Sequence, residues 1–308
     1  MGTTYHVKVV VGPFARTAPI AAAIEKTLEA VNAAMSTYRP DSEISRFNDL
    51  ETTGEPFPVS AGFYRVMEIA RDLHRETGGA WDGTIDPLVN LWGFGRSGQS
   101  PRVPADERIR ELMDRVGFGR IALSPPDALV KDHPEVTLDL ASIAKGYGVD
   151  TVAGAIAAMG HTDYLVEVGG EVYAAGRRPD GSPWRVGINV PEAGAAFNEV
   201  YKVVTLTDRA FATSGDYRNF FEAEGRRYSH VLDPRTGYPV ANGVVSASVV
   251  ADNCTLADGL ATALMVMGPE AGVALVERLA GVECFVVTRD ADGRLRDHAS
   301  SGIVFDNP

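Results

Sequence analysis

Cysteine is nearly absent: Cys254 and Cys284 are the only two in 308 residues. They show neither CxxC spacing nor a neighbouring histidine pair, so a zinc or redox motif is not expected and buried free thiols are. No apolar run approaches the roughly 18 residues that a membrane span requires. A basic surplus is also missing. The net charge is −12 and the sequence pI is about 5.0, the opposite of what a nucleic-acid binder carries. An anionic ligand must then be met locally, by helix N-termini, a few cations or a metal. The patterns GxxxxGK[ST] and GxSxG are absent, and the TLDLASIAKGY stretch is no GxGxxG fingerprint, which removes the Walker loop and the nucleophile elbow of a Ser-His-Asp hydrolase and leaves that strand-to-helix turn without the dinucleotide signature. No signal peptide is visible ahead of the strand-like HVKVVV that follows Met1-Gly2-Thr3-Thr4-Tyr5, which leaves the compartment open.

What remains is an ordinary globular composition, 45% apolar and 23% charged. Strands are predicted at 6–11, 136–140, 164–168, 171–175, 184–190, 200–207, 211–213, 244–250 and 284–288. Helical periodicity covers 21–35, 61–77, about 106–116, 144–159, 257–267 and 272–279. Ser42 is placed to cap a short helix carrying Ile44 and Phe47, and Ser60 to cap the helix that buries Phe63, Val66, Met67, Ala70 and Leu73. Gly169-Gly170 is a hairpin signal. Strand pairs interrupted by helices imply a mixed α+β fold rather than a βαβ repeat. No repeat or low-complexity linker divides residues 1–308. The Pro/Gly-rich stretch 93–104 is the one weak candidate boundary within a single domain.

Four stretches hold residues able to do chemistry. Asp258 and Thr262 are four apart in an otherwise apolar helix, so a carboxylate and a hydroxyl share one face. Two readings stand. Asp258 caps the helix while Thr262 bonds back to a carbonyl, or the two hold a cation, for which oxygen donors favour Mg²⁺ or Ca²⁺ over zinc. In TLDLASIAKGYG a strand delivers Asp139, small residues allow close approach to the backbone, and Lys145 offers a cation; an ordinary strand-to-helix connection fits as well. His230 ends a strand before the turn DPRTGYP, where an imidazole is either a general base or inert. Thr213, Ser214 and Asp216 place hydroxyls and an acid at a strand end. Trp81 and Trp92, in a Gly- and Pro-rich loop, either stack on a flat ring or pack inward.

These stretches together resemble the ApbE family of FAD:protein FMN transferases. The resemblance is carried, in order along nearly the whole chain, by MGTTY, MSTYRPDSEISRFN, GGAWDGTIDPLVNLWGFG, LDLASIAKGYGVD, YLVEVGGEVYAAG, ATSGDYRNF, YSHVLDPRTGYPV and ADGLATALMVMG. It implies a two-lobed, T-fold-like α+β architecture with mixed or antiparallel sheets. It implies FAD contacts from Met1, Tyr38, Ala80, Trp81, Asp82, Asp139, Lys145 and Leu232. Magnesium, with calcium as the alternative, would be held by Asp258, Thr262 and the backbone carbonyl of Ser142. His230 would be the catalytic base. The implied reaction joins the FMN half of FAD to a Thr or Ser hydroxyl of an acceptor protein and releases AMP. The implied acceptors are subunits of membrane electron-transfer complexes. The implied location is the periplasm, with a lipid anchor in a longer precursor. Two other activities need almost the same residues: an FAD pyrophosphatase, in which water attacks, and a flavin-binding protein without turnover.

Overall fold

The computed structural model describes residues 2–95, 100–192, 194–196, 199–216 and 219–306. Its centre is a seven-stranded sheet whose spatial order follows the chain: Tyr5–Val9, Tyr164–Val168, Glu171–Ala175, Arg209–Gly215, Val244–Ala251, Glu283–Arg289 and Leu295–Ala299. Every neighbouring pair is antiparallel, so the α+β expectation holds. The Gly169-Gly170 hairpin forms as its composition requires, with φ of 60° and 103° at the two glycines.

The helices in chain order are α1 (Ala18–Met35), α2 (Glu43–Asn48), α3 (Ala61–Glu76), α4 (Asp86–Leu91), α5 (Asp106–Met113), α6 (Ala141–Ala158), α7 (Cys254–Met267) and α8 (Pro269–Val276). In α1, Ile20, Ile24, Leu28, Val31 and Met35 recur every three or four residues and are all buried, the stripe that an amphipathic helix lays on a core. Ser42 and Ser60 cap α2 and α3, accepting from the amides of Ser45 and Phe63. Helix α7 has no polar side because it packs between the sheet on one side and α6 and α3 on the other. The opposite face of the sheet is covered by a three-stranded sheet of Trp184–Asn189, Val200–Leu206 and Phe305–Asp306. Val244–Ala251 is consequently buried along its whole length, its only polar side chains being the small Ser246 and Ser248. A third apolar cluster joins Leu88, Trp92, Ile109 and Leu112 to Leu232, away from both sheet faces.

Several boundaries differ from the sequence reading. Residues 136–140 are not a strand. Their side chains at 136, 138 and 140 are buried as alternation predicts, but the backbone is satisfied differently. Both the amide and the carbonyl of Leu138 bond to the Asn48 side chain, at 2.7 and 2.9 Å, and the Asp139 amide bonds to the Gly83 carbonyl. Side-chain and loop partners replace a ladder here. Helices α6 and α7 each begin three residues before the predicted starts at Ala144 and Ala257. Helix α8 likewise covers Pro269–Val276 rather than 272–279, because Pro269 sets its first turn. Part of the 93–104 stretch, residues 96–99, lies outside the described residues. No described helix is long and apolar enough to cross a membrane. Both cysteines are buried free thiols, as expected.

Candidate active site

The earlier start of α7 changes the meaning of Asp258. Asn253 is the cap, accepting from the Leu256 amide at 2.9 Å, and Asp258 lies a full turn inside the helix. The capping alternative is therefore removed. So is back-bonding of Thr262, whose hydroxyl meets Ser214 Oγ at 3.1 Å on the adjoining strand. Asp258 is 1% exposed, and a buried carboxylate must find partners. It finds them on α6. The Gly146 amide donates to its Oδ2 at 3.0 Å, and the Lys145 ammonium to Oδ1 and Oδ2 at 3.1 and 3.3 Å.

Two features of α6 bring this about. A Cβ at Gly146 would lie 2.3 Å from the Cys254 carbonyl and 2.9 Å from Asp258 Cβ, so only glycine permits this approach of α6 to α7. One turn on, the Asp150 carboxylate accepts from the Cys254 and Thr255 amides at 2.7 and 2.8 Å, an anion at the positive end of α7. Sequence reasoning counted Gly146 among the small residues that allow close approach, there for a ligand rather than for a helix, and missed Asp150, an acid four positions further along the same helix.

Lys145 has a second carboxyl partner, Glu171, at 2.9 Å from the first residue of its strand. Glu171 is 3% exposed, and its Oε2 has no hydrogen-bond partner among the described residues. Burial pushes both the Glu171 and the Asp258 carboxyl groups up, while the ammonium between them opposes the rise. Burial works against the Lys145 charge, but the two carboxyl groups outweigh it and raise the ammonium well above its ordinary value. Glu171 too was missed; its signal was a lone acid directly after the Gly-Gly turn in an apolar strand.

His230 follows the strand Arg226–Ser229, as the turn chemistry predicts. It is partly buried rather than exposed. Its Nδ1 lies 3.0 Å from the Asn219 carbonyl. A carbonyl only accepts, so Nδ1 carries the proton and Nε2 keeps its lone pair. Burial pushes the imidazole below its ordinary 6.5, with the Asn219 bond and the Asp216 carboxylate pulling the other way.

These groups meet in one cavity of about 450 Å³, within the size range of small-molecule sites. Asp258, Thr262, Lys145, Glu171, Ser142 and His230 all line it, together with Ala80, Trp81, Asp82, Asp139 and Leu232. Trp81 is 1% exposed and donates from Nε1 to Ser142 Oγ at 2.9 Å, so it packs and orients rather than standing free in the cavity. The Asp82 carboxylate is engaged by its own loop, accepting from the Thr84 hydroxyl and amide and the Phe118 amide. Asp139 accepts from the Ala141 amide at 2.8 Å at the start of α6. Tyr38 is exposed and lines an adjoining hollow that shares Asp139, Ala141 and Lys145 with the main cavity. Met1 lies outside the described residues.

The oxygen donors fit a hard cation. Among the described residues no three acidic, histidine or cysteine side chains converge in a closed cage. A cation here would rely on one or two carboxylates, hydroxyl and carbonyl oxygens, and oxygens from a ligand. That is the usual pattern of Mg²⁺ at phosphate-handling sites, where dedicated all-protein cages are uncommon.

The fold is that of solved flavin transferases. It superposes on flavin transferase ApbE from Vibrio cholerae with a TM-score of 0.88 and 43% identity, covering 98% of this chain and 94% of that one. The apo flavinyl transferase ApbE of Pseudomonas stutzeri gives 0.87 and 39%, over 98% and 92% of the two chains. The curated FAD:protein FMN transferase of Vibrio cholerae serotype O1 is 44% identical over 304 residues, 98% of this chain and 89% of that protein. The ApbE family model matches residues 1–286, and the chain belongs to the ApbE family.

Proposed function

We propose that this protein transfers the FMN half of FAD to a Thr or Ser hydroxyl of an acceptor protein, with Mg²⁺ bound. The observation that carries the reading is the convergence of one buried acid–hydroxyl pair on α7, one ammonium on α6 and one half-buried imidazole at a single cavity. Asp258, Thr262 and the Ser142 carbonyl would hold the cation, Ca²⁺ being the other ion that such donors suit. The N–H that α-helical geometry pairs with the Ser142 carbonyl is that of Gly146, and it donates to Asp258 Oδ2 at 3.0 Å. This supports that carbonyl as a ligand. When bound, the ion supplies positive charge at the pyrophosphate.

The chain's own groups do the rest. Lys145 meets phosphate charge. Ala80, Trp81, Asp82, Asp139, Leu232 and Tyr38 shape the flavin dinucleotide site. The acceptor hydroxyl oxygen attacks the FMN-side phosphorus, the bond from that phosphorus to AMP breaks, and the hydroxyl proton passes to His230 Nε2. AMP leaves. The family resemblance names membrane electron-transfer subunits as acceptors and the periplasm as the compartment, which cell fractionation tests separately.

The direct test is intact-mass analysis of a candidate acceptor incubated with this protein, FAD and Mg²⁺. Covalent FMN on the acceptor and AMP in solution are expected. FMN found only free in solution would make water the acceptor and the protein a pyrophosphatase. No AMP at all would leave a binding protein.

A further inference from the structure

Asp258 is the one carboxylate among the proposed cation ligands, yet its oxygens are already engaged. Lys145 Nζ lies 3.1 Å from Oδ1 and 3.3 Å from Oδ2, and the Gly146 amide takes Oδ2 as well. An ammonium against both oxygens competes with a divalent ion for the carboxylate and repels it. Moving the ammonium aside removes that competition, and a seat for it exists. Glu171 Oε1 is 2.9 Å from the same Nζ, and Glu171 Oε2 is buried without a hydrogen-bond partner among the described residues. The aliphatic stem need not move far. It runs beside Gly169, where an added Cβ would lie 3.1 Å from Lys145 Cδ, and the charged end has two carboxyl groups already in reach.

We propose that Lys145 is a resident cation that holds Asp258 until a divalent ion displaces its ammonium onto Glu171. The inference rests on the magnesium reading given above. Its physical content is an exchange of cations at one carboxylate. The monovalent, covalently tethered cation keeps the buried acid compensated when no metal is bound, and that same compensation makes the FAD-free protein a poor metal binder. Glu171 then has a role of its own, lowering the cost of the exchange by receiving the displaced charge.

The test is Mn²⁺ binding to FAD-free protein, read from the EPR signal of the free hydrated ion. The proteins compared are the wild type, Glu171→Gln, Lys145→Gln/Glu171→Gln and Asp258→Asn. The paired substitution removes the tethered cation and also the second carboxyl, so the two acids cannot share a proton in its place. It should bind Mn²⁺ at least about tenfold more tightly than the wild type, whereas Glu171→Gln alone should bind it more weakly. A paired variant that binds no more tightly than the wild type overturns the exchange. A second readout needs no substitution: in ¹⁵N-lysine NMR of the wild type, Mg²⁺ should move the Lys145 Nζ resonance, and an unmoved resonance at saturating Mg²⁺ also overturns it. Asp258→Asn separates the two ideas. If it loses Mn²⁺ while the paired variant fails to tighten, the exchange alone is wrong; if it binds Mn²⁺ as the wild type does, the magnesium reading fails with it.

Discussion

Lys145 and Asp258 are 113 positions apart in the chain and meet at 3.1 Å, inside the contact between α6 and α7. The pair turns two helices into one site, and each prediction below disturbs a group that the contact either builds or faces.

Replacing Asp258 by Ala removes the only carboxylate among the proposed cation ligands. Magnesium dependence should disappear and FAD should be held more weakly, as read from a Mg²⁺ titration of FAD binding. A titration curve matching the wild type would count against Asp258 as a ligand.

His230→Ala should cut FMN transfer by roughly two to four orders of magnitude, the usual contribution of a general base. FAD binding should stay close to that of the wild type, because the imidazole is assigned to the acceptor hydroxyl. Normal transfer by this variant would take His230 out of the mechanism.

The acid limb of the pH–rate profile follows from the same residue. Burial disfavours the imidazolium, so His230 stays neutral and able to accept a proton as pH falls through the ordinary imidazole value of 6.5. Activity should be retained at that pH and fall only below it, measured as kcat/KM against pH. A limb centred above 6.5 would contradict the burial argument.

Gly146→Ala tests the helix contact itself. The added Cβ would meet the Cys254 carbonyl at 2.3 Å, and neither backbone can yield without separating α6 from α7. A loss of about 1–3 kcal/mol is expected from such overpacking, visible in denaturant unfolding, together with weaker FAD binding as the amide at 146 is pushed away from Asp258. Unchanged stability would mean that the helices can slide.

Trp81→Phe keeps an aromatic ring in the core and deletes the N–H that reaches Ser142 Oγ at 2.9 Å. A cost of about 0.5–1.5 kcal/mol is expected for the lost hydrogen bond. If Ser142 needs that bond to present its carbonyl, the apparent Mg²⁺ affinity in the presence of FAD should drop as well. Unfolding and Mg²⁺ titration together distinguish a purely structural tryptophan from one that orients the site.

Much of this fold was legible because local chemistry decided it. Ser42 and Ser60 cap the helices they precede, and Gly169-Gly170 turns the hairpin that its composition demands. Asp258, Lys145 and His230 stood out because each is a polar group in a place that needs a reason. What stayed hidden was set by partners distant in sequence. The side-chain amide of Asn48 satisfies Leu138 and keeps an alternating stretch from joining a sheet. Asp150 and Glu171 matter only once α7 is known to lie beside the first and Lys145 on α6 beside the second. No local pattern announces such neighbours. The starts of α6 and α7 were misplaced for a related reason: Asp139 and Asn253 satisfy backbone amides just ahead of the apolar periodicity that marks each helix.

The third apolar cluster lies apart from the sheet faces but not from the chemistry. Trp92 donates its indole N–H to the Gly237 carbonyl at 2.9 Å, and Tyr238 reaches Asp106 at 2.7 Å. The turn that follows His230 is thereby moored to the segment holding α4 and α5. The indole of Trp92 thus acts at a distance as an anchor for the loop on which the imidazole of His230 depends for its placement.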